Sequence, residues 1–204
     1  MTDRPIKTKL PDDPGNPLRG LKEVQGHGKG MPPVHLWNPP FCGDIGMRIA
    51  ADGTWFYMNS PIGRKPLVKL FSSILRRDED GRYYLVTPVE KCSIDVEDAP
   101  LVAIAMSVKG DGQGKEISFV TNAEDEVTVD AFHPLRFAEE EGTQGLKPYV
   151  LVRGRLEALV SRPIFYDLVA QGVVERVEGD DWFGVWSKGQ FWPMQRAREI
   201  GLKS

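Results

Sequence analysis

The strongest chemical signal in this sequence is a run of five basic side chains with no acidic residue among them: Arg64, Lys65, Lys69, Arg76 and Arg77. Pro66 suits the first turn of a helix, where its missing N–H costs nothing. Apolar residues then recur at helical spacing through position 75. The sequence thus predicts a helix that Arg76 and Arg77 close with charges favourable to its negative end.

Arg64 and Lys65 stand at the opposite, positive end of this predicted helix, where a cation is unfavourable by about 0.3–1 kcal/mol. Together with the free backbone N–H groups of the helix start, these two cations would make an anion site. Arg64 is the better suited to a bidentate phosphate or carboxylate contact, because its guanidinium is planar and always protonated. The alternative is a solvent-screened pair of surface charges.

Side chains on the preceding predicted hairpin could complete such a site. The runs 45–50 and 54–59 are rich in strand formers and are joined by Asp52-Gly53, a strong hairpin signal. Arg48 would then share one sheet face with Trp55 and Tyr57 if the register permits, and either ring could stack on a base. In the alternative, both rings belong to the core and the arginines make salt bridges.

A further arginine comes from the second half of the chain. Arg153 and Arg155 flank Gly154 inside a strand-like run, which indicates a bulge that could turn one arginine toward a cleft. Arg153 is the favoured contributor, with a salt bridge to a neighbouring strand as the alternative. The predicted ligand-binding residues are Arg48, Trp55, Tyr57, Arg64, Lys65 and Arg153.

No catalytic signature is present in the sequence. The glycine-rich segment 110–115 fails the Walker spacing and lies between two predicted strands, so it is interpreted as a hairpin loop. Three histidines fit no close metal-ligand spacing. We therefore expect no metal, no cofactor and no enzymatic activity, although a site built from scattered residues would escape such a search.

The composition is that of a soluble globular protein: 204 residues, 41% hydrophobic and 27% charged. A net charge of −3 gives no overall attraction to nucleic acid or to an anionic membrane. The N-terminus lacks the apolar core of a signal peptide, and the longest apolar run, 101–106, is too short for a membrane span. Cys42 and Cys92 are interpreted as reduced thiols, so we expect a cytoplasmic protein that neither inserts in membranes nor binds nucleic acid.

A weak internal sequence similarity guides the prediction of the fold. The segment around Pro66 is repeated around Pro163, each time with a preceding basic residue and with strand-like runs on both sides. This similarity predicts an α+β protein of two related β-rich domains, each a hairpin–helix–hairpin unit, with the second one enlarged. We place a Pro/Gly-rich, partly disordered leader and strap at 1–40, the first domain at 41–98 and the second at 99–204. Within the leader we predict one short helix around 18–24, and the strap at 33–41 is predicted to lie extended along the folded body.

Long mixed strings in the chain resemble a known bacterial family. The segments 41–49, 52–57 and 60–64 (FCGDIGMRI, DGTWFY and SPIGR) are similar to the proteobacterial domain-of-unknown-function family 1285, as are 84–91 (YLVTPVEK) and 185–187 (VWS). The resemblance implies two α+β domains, the C-terminal one loosely like a pleckstrin-homology fold. It also implies a pocket at the domain interface for a nucleotide-like ligand, a role in signalling, and no established activity.

Two hypotheses for function follow. The first is a protein that binds a nucleotide-like or other anionic small molecule at the domain interface, based on the basic helix start and on the resemblance. The second is a scaffold for a protein partner in signalling, based on the aromatic C-terminal hairpin and on exposed strand edges.

Overall fold

The computed structural model describes residues 20, 21, 24, 30–140, 142, 143 and 145–202. Two α-helices lie within them, α1 (Lys65–Ser73) and α2 (Arg162–Val169). The strands are β1 (Phe41–Ile49), β2 (Trp55–Tyr57), β3 (Ser60–Pro61), β4 (Leu75–Arg77), β5 (Tyr83–Val86), β6 (Lys91–Val96), β7 (Leu101–Lys109), β8 (Glu116–Thr121), β9 (Glu126–Thr128), β10 (Leu135–Glu139), β11 (Leu146–Arg153), β12 (Leu156–Val160), β13 (Val173–Val177), β14 (Asp180–Ser187) and β15 (Gln190–Arg196). The predicted β-rich α+β class is confirmed. Among the described residues, no helix is long and apolar enough to cross a membrane.

The first six strands form one mixed sheet in the order β3-β2-β1-β6-β5-β4. Its two central strands, β1 and β6, run parallel, and every other pair is antiparallel. The two hairpins of the predicted hairpin–helix–hairpin unit in the first domain are both present, as β1–β2 and β5–β6. Since parallel neighbours need a crossover connection, the chain must leave the sheet between its two meanders.

The next six strands form a second mixed sheet in the order β10-β11-β12-β7-β8-β9. Here too the central pair, β7 and β12, is parallel and the remaining pairs are antiparallel. When the second sheet is read from its β9 edge, both sheets have the same order: the third, second, first, sixth, fifth and fourth strand of each sheet. The two sheets therefore share one topology, with β1 equivalent to β7.

This equivalence corrects the predicted repeat. Helix α1 connects the third and fourth strands of the first sheet, whereas α2 follows the sixth strand of the second sheet. The place of α1 is taken in the second sheet by the turn between β9 and β10, where Asp130 and His133 form an isolated bridge. The helices that begin near Pro66 and Pro163 are thus not equivalent. Their likeness reflects the general suitability of proline for a first helical turn.

A small third sheet, β13-β14-β15, completes the fold. Helix α2 packs between β7 and β14, where Leu168 is buried. The hydroxyl of Ser187 on β14 donates to the Val129 carbonyl (2.7 Å) and accepts the Ile117 N–H (3.1 Å). These two buried hydrogen bonds fix the third sheet against the second, since losing either would leave a backbone group unsatisfied.

Helix α1 ends earlier than its apolar pattern predicts. Phe71, Ile74 and Leu75 are buried as expected, but the last helical residue is Ser73, and Leu75 already belongs to β4. The prediction that Arg76 and Arg77 close the helix is therefore wrong, because both lie in that edge strand. A strand partner at this point satisfies the backbone groups that a longer helix would have satisfied internally.

The leader is only partly described. Leu21 and Val24 are helical and buried, within the short helix predicted near 18–24, whereas most of the predicted disordered segment lies outside the described residues. The strap at 33–41, predicted to be extended, contains a 3₁₀ turn at Val34–Leu36 before β1 begins. Val34 and Trp37 pack on the core.

The turn between β1 and β2 touches the second sheet. Gly53 has a φ of 83°, and a Cβ built there would lie 2.5 Å from Nδ2 of Asn122 and 2.9 Å from the side chain of Val102. Asn122 in turn accepts the Val102 N–H at 3.0 Å. Only glycine meets both requirements, the left-handed backbone and the close approach between the halves.

We expect a thiol reagent at pH 8 to label one cysteine of the folded protein and both cysteines after denaturation. Cys42 is exposed, whereas Cys92 is buried, and burial raises the pKa of its thiol to about 12. Almost no Cys92 thiolate is then present to react. Intact-mass measurement after alkylation, with and without guanidinium, checks this. A Cys92→Ala variant should show unchanged native labelling, and native modification of Cys92 would contradict the prediction.

Candidate anion site

A cleft of about 820 Å³ lies where the strap, the edge of the first sheet and the β11–β12 turn meet. Both halves of the molecule therefore contribute to its walls. The strap and the two residues before it supply Met31, Pro32, Pro33, Val34, His35, Trp37 and Asn38. The first half supplies Ser73, Leu75, Arg76, Arg77 and Asp78, and the second half supplies Arg153, Gly154, Arg155 and Leu156. One wall is mainly apolar and the other carries four arginines.

Arg76 fastens the strap to the first sheet. Its Nη1 donates to the carbonyls of Val34 (2.8 Å) and Trp37 (2.7 Å), and its Nε lies 2.6 Å from Oδ1 of Asp78. The guanidinium fork suits this arrangement, since it offers several donors in fixed directions. Arg76 thus adds two hydrogen bonds to the apolar packing that holds the strap wall of the cleft.

Asp78 is the acidic residue of the cleft lining, and its charge is neutralised locally. Burial raises the pKa of its carboxyl, but hydrogen bonds from Arg76 and Lys91 outweigh this and hold the pKa below its ordinary value. Lys91 Nζ lies 3.1 Å from Oδ2. Because two cations share this carboxylate, the cleft keeps its positive character at neutral pH.

Arg153 joins the two halves beneath the cleft. Its Nη2 donates to the Ser72 carbonyl (2.8 Å) in the last turn of α1, and its Nη1 lies 2.5 Å from Oδ2 of Asp125 in the β8–β9 turn. A cation at the C-terminal end of a helix satisfies orphan carbonyls and complements the dipole. The role predicted for Arg76 and Arg77 is thus taken by a residue from the second sheet.

Arg77 and Arg155 carry most of the donors that remain for a ligand. In the described part of the chain, Arg77 Nε donates to the Gly81 carbonyl (3.2 Å), and its guanidinium lies 5.3 Å from the centre of the Tyr83 ring. Arg155 Nη2 donates to Oε1 of Glu79 (2.8 Å). Since a guanidinium has five N–H donors, each of the two can still bind an anion.

The predicted shared face of Arg48, Trp55 and Tyr57 is wrong. The register of β1 and β2 pairs Arg48 with Phe56, one position away from either aromatic residue. Because side chains alternate along a strand, Arg48 lies on the opposite face of the hairpin. Its guanidinium stacks 4.3 Å above the Phe56 ring and forms an ion pair with Glu97.

The two aromatic candidates differ in accessibility. Trp55 is 1% exposed and its ring stacks on Phe71, with 5.9 Å between the ring centres. It lies in the core, which was the alternative considered from the sequence, and presents no free face to a ligand. Tyr57 is 40% exposed at the end of the short strand β2. Neither side chain lines the cleft.

The basic helix start is separate from the cleft. Arg64 is the N-cap residue of α1 without a side-chain capping bond, Lys65 is the first helical residue, and both are exposed. One turn further, Lys69 forms an ion pair with Glu124 of the second half. Of the six predicted residues, the structure places Arg153 in the cleft wall.

Sequence reasoning missed three cleft arginines. It assigned Arg76 and Arg77 to the helix dipole and treated Arg155 only as the neighbour of a bulge. The signal available was two short arginine-rich segments, 76–82 and 153–155, in an otherwise acidic chain. Their proximity follows from the packing of the two sheets, which no local pattern encodes. Within the described residues, no group of three or more His, Cys, Asp or Glu side chains is placed to hold a metal ion.

The fold and the cleft define a β-rich α+β protein with two topologically equal mixed sheets and a basic groove between them. The chain belongs to the DUF1285 family: residues 32–99 match its N-terminal domain of unknown function, and residues 100–194 match its C-terminal domain. The predicted family membership is confirmed. The comparison with curated proteins finds no match.

Two solved bacterial structures are similar to this chain. A DUF1285 family protein from Silicibacter pomeroyi DSS-3 is 48% identical, with a TM-score of 0.80 over 89% of this chain and 98% of that one. A DUF1285 family protein from Shewanella baltica OS155 is 25% identical, with a TM-score of 0.48 over 61% of this chain and 91% of that one. The first likeness establishes the shared fold over nearly the whole length.

We expect Trp55→Ala to lower the free energy of unfolding by about 3–5 kcal/mol, as for other buried aromatic residues replaced by alanine. Tyr57→Ala is the matched control on the same strand. Because its ring is partly exposed, we expect a loss of about 1 kcal/mol or less. Urea unfolding, followed by far-ultraviolet circular dichroism in place of tryptophan fluorescence, measures the free energy of unfolding of both variants. Equal small losses would show that Trp55 is not part of the core.

We expect Arg76→Gln to loosen the strap, because the carbonyls of Val34 and Trp37 lose a charged donor. Hydrogen bonds to charged groups contribute about 1.5–3 kcal/mol, so amide exchange in residues 31–38 should accelerate at least tenfold. Hydrogen-exchange mass spectrometry measures this directly. Arg82→Gln, which removes an arginine outside the cleft lining, should leave strap exchange unchanged, and equal acceleration in both variants would argue against a strap-specific role.

Proposed function

We propose that this protein binds a nucleotide-like or other anionic small molecule in the cleft between its two halves and that it serves a signalling role. The observation that carries the proposal is the convergence of four arginines from both sheets on one cleft: Arg76, Arg77, Arg153 and Arg155. An acidic chain that concentrates arginine in a single concave surface is suited to selective anion binding.

The dimensions and walls of the cleft support a ligand of nucleotide size. Its volume of about 820 Å³ lies within the usual range for small-molecule sites, about 300–1,000 Å³. The strap wall, with Met31, Pro33 and Trp37, offers apolar surface to a flat or apolar portion of the ligand. The opposite wall offers guanidinium donors to a phosphate or carboxylate group.

A scaffold for a protein partner is the second candidate. Strand β13 is an edge strand of the small sheet, and Val173 on it is 40% exposed. An extended segment of a partner could add to this edge by main-chain hydrogen bonds. A ligand that binds in the cleft without any change at β13 would favour the first candidate.

We also infer that the two six-stranded sheets are copies of one ancestral unit, since their strand order and their pattern of parallel and antiparallel pairs agree. The division into domains at 41–98 and 99–204, the pleckstrin-homology-like character of the second domain and the cytoplasmic location stay predictions. The shared topology supports a duplication whose second copy ends at β12, with α2 and the three-stranded sheet added after it.

The test of ligand binding compares two double variants. We expect ATP, AMP or pyrophosphate to raise the melting temperature of the wild type, and Arg77→Ala with Arg155→Ala to weaken that binding at least tenfold, about 1.4 kcal/mol. Isothermal titration calorimetry measures the affinities. Both side chains are at least partly exposed, so the unliganded fold should be retained.

The matched control is Arg64→Ala with Lys65→Ala, which removes the same charge at the start of α1. Retained affinity in this control places the ligand in the cleft. The reverse pattern, loss in the control and retention in the cleft variant, would place the ligand at the helix start and overturn the cleft assignment. No stabilisation of the wild type by any of the three anions, with specific recovery of a protein partner, would favour the scaffold.

A further inference from the structure

We propose that Glu79 competes with the ligand for Arg155 and thereby limits the affinity of the cleft for anions; this inference rests on the function proposed above. Arg155 Nη2 and Glu79 Oε1 lie 2.8 Å apart, across the boundary between the two sheets. The Glu79 side chain is 87% exposed and that of Arg155 is 55% exposed. Water screens such a pair strongly, so a ligand can displace the carboxylate at little cost.

The other cleft arginines are held differently. Arg153 contacts the Ser72 carbonyl and Asp125, and Arg76 contacts strap carbonyls and Asp78, in both cases through mostly buried groups that support the fold. The partner of Arg155 contributes no comparable support, because it lies on an exposed turn. Of these three arginines, Arg155 is therefore the one whose partner is readily exchanged for a ligand.

Glu79 lies next to the cleft without lining it. Arg155 is part of the cleft wall, whereas Glu79 is not. A bound phosphate or carboxylate would therefore reach the guanidinium from the cleft side while the Glu79 carboxylate remains within reach of the same group. Whether the carboxylate is displaced or stays in place, its negative charge opposes the anion.

The same turn defines the orientation of the ligand. Arg77 contacts the Gly81 carbonyl and Arg155 contacts Glu79, so both guanidinium groups lie around the β4–β5 turn. The anionic group of the ligand belongs at this end of the cleft. The apolar portion faces the strap, where Pro33 and Trp37 lie. The ligand class is thus an organic phosphate or carboxylate with a flat or apolar body.

The experiment is calorimetric titration of the full chain with ATP and with pyrophosphate near physiological ionic strength. We expect Glu79→Gln to bind the probe about two- to fivefold tighter than the wild type, the range that corresponds to loss of an exposed ion pair. In an Arg155→Gln background, the same replacement should have no effect. Glu126→Gln, on the exposed edge strand β9 and outside the cleft, controls for the change in net charge and should leave the affinity unchanged.

The outcomes separate this inference from the proposed function. Wild-type binding without tighter binding by Glu79→Gln, or equal tightening by Glu126→Gln, overturns the role of Glu79 and leaves the ligand site standing. If Glu79→Gln binds a probe and the wild type does not, the result supports both the role of Glu79 and the proposed ligand site. Failure of both proteins to bind either probe at millimolar concentration overturns both. Unchanged thermal stability of unliganded Glu79→Gln is expected throughout, because the pair is exposed.

Discussion

The contact on which the two halves depend is that of the Arg153 guanidinium with the end of helix α1 and with the β8–β9 turn. Its hydrogen bond to the Ser72 carbonyl links the second sheet to the helix of the first half. Its ion pair with Asp125 holds the same guanidinium against a turn of its own sheet. The helix end needs a cation and the carboxylate needs a partner, so one side chain satisfies both. Because Arg153 also lines the cleft, the junction of the halves and the candidate site are one arrangement.

The shared topology of the two sheets explains why the helices near Pro66 and Pro163 are not equivalent. A parallel central pair requires a long connection between its two strands. In each sheet this connection contains the other four strands and one segment that joins the two meanders. The first sheet uses α1 and the second uses the turn around Asp130 and His133. A duplication can therefore preserve the strand order even though the helix that begins near a proline occupies a different position in the strand sequence of each sheet.

Charge in this protein matters through its location. The chain is acidic overall, with a net charge of −3, yet the acidic residue of the cleft lining is held by Arg76 and Lys91. Arg77 and Arg155 then supply donors from opposite halves of the molecule. The resulting groove is basic on one wall and apolar on the other.

The sequence by itself determined the hairpins β1–β2 and β5–β6, the burial of Phe71 and Ile74, and the α+β class, because turn chemistry and apolar periodicity act over a few residues. Of the two roles predicted for Arg153, the salt bridge is present, to Asp125, and ligand binding stays a prediction. The tertiary structure decided that Trp55 is core, that Arg48 faces away from it, and that a helix ends where an edge strand can begin. Above all, it decided that the segments 76–82 and 153–155 meet. That meeting depends on packing between two sheets that are distant in sequence, and no local pattern specifies it.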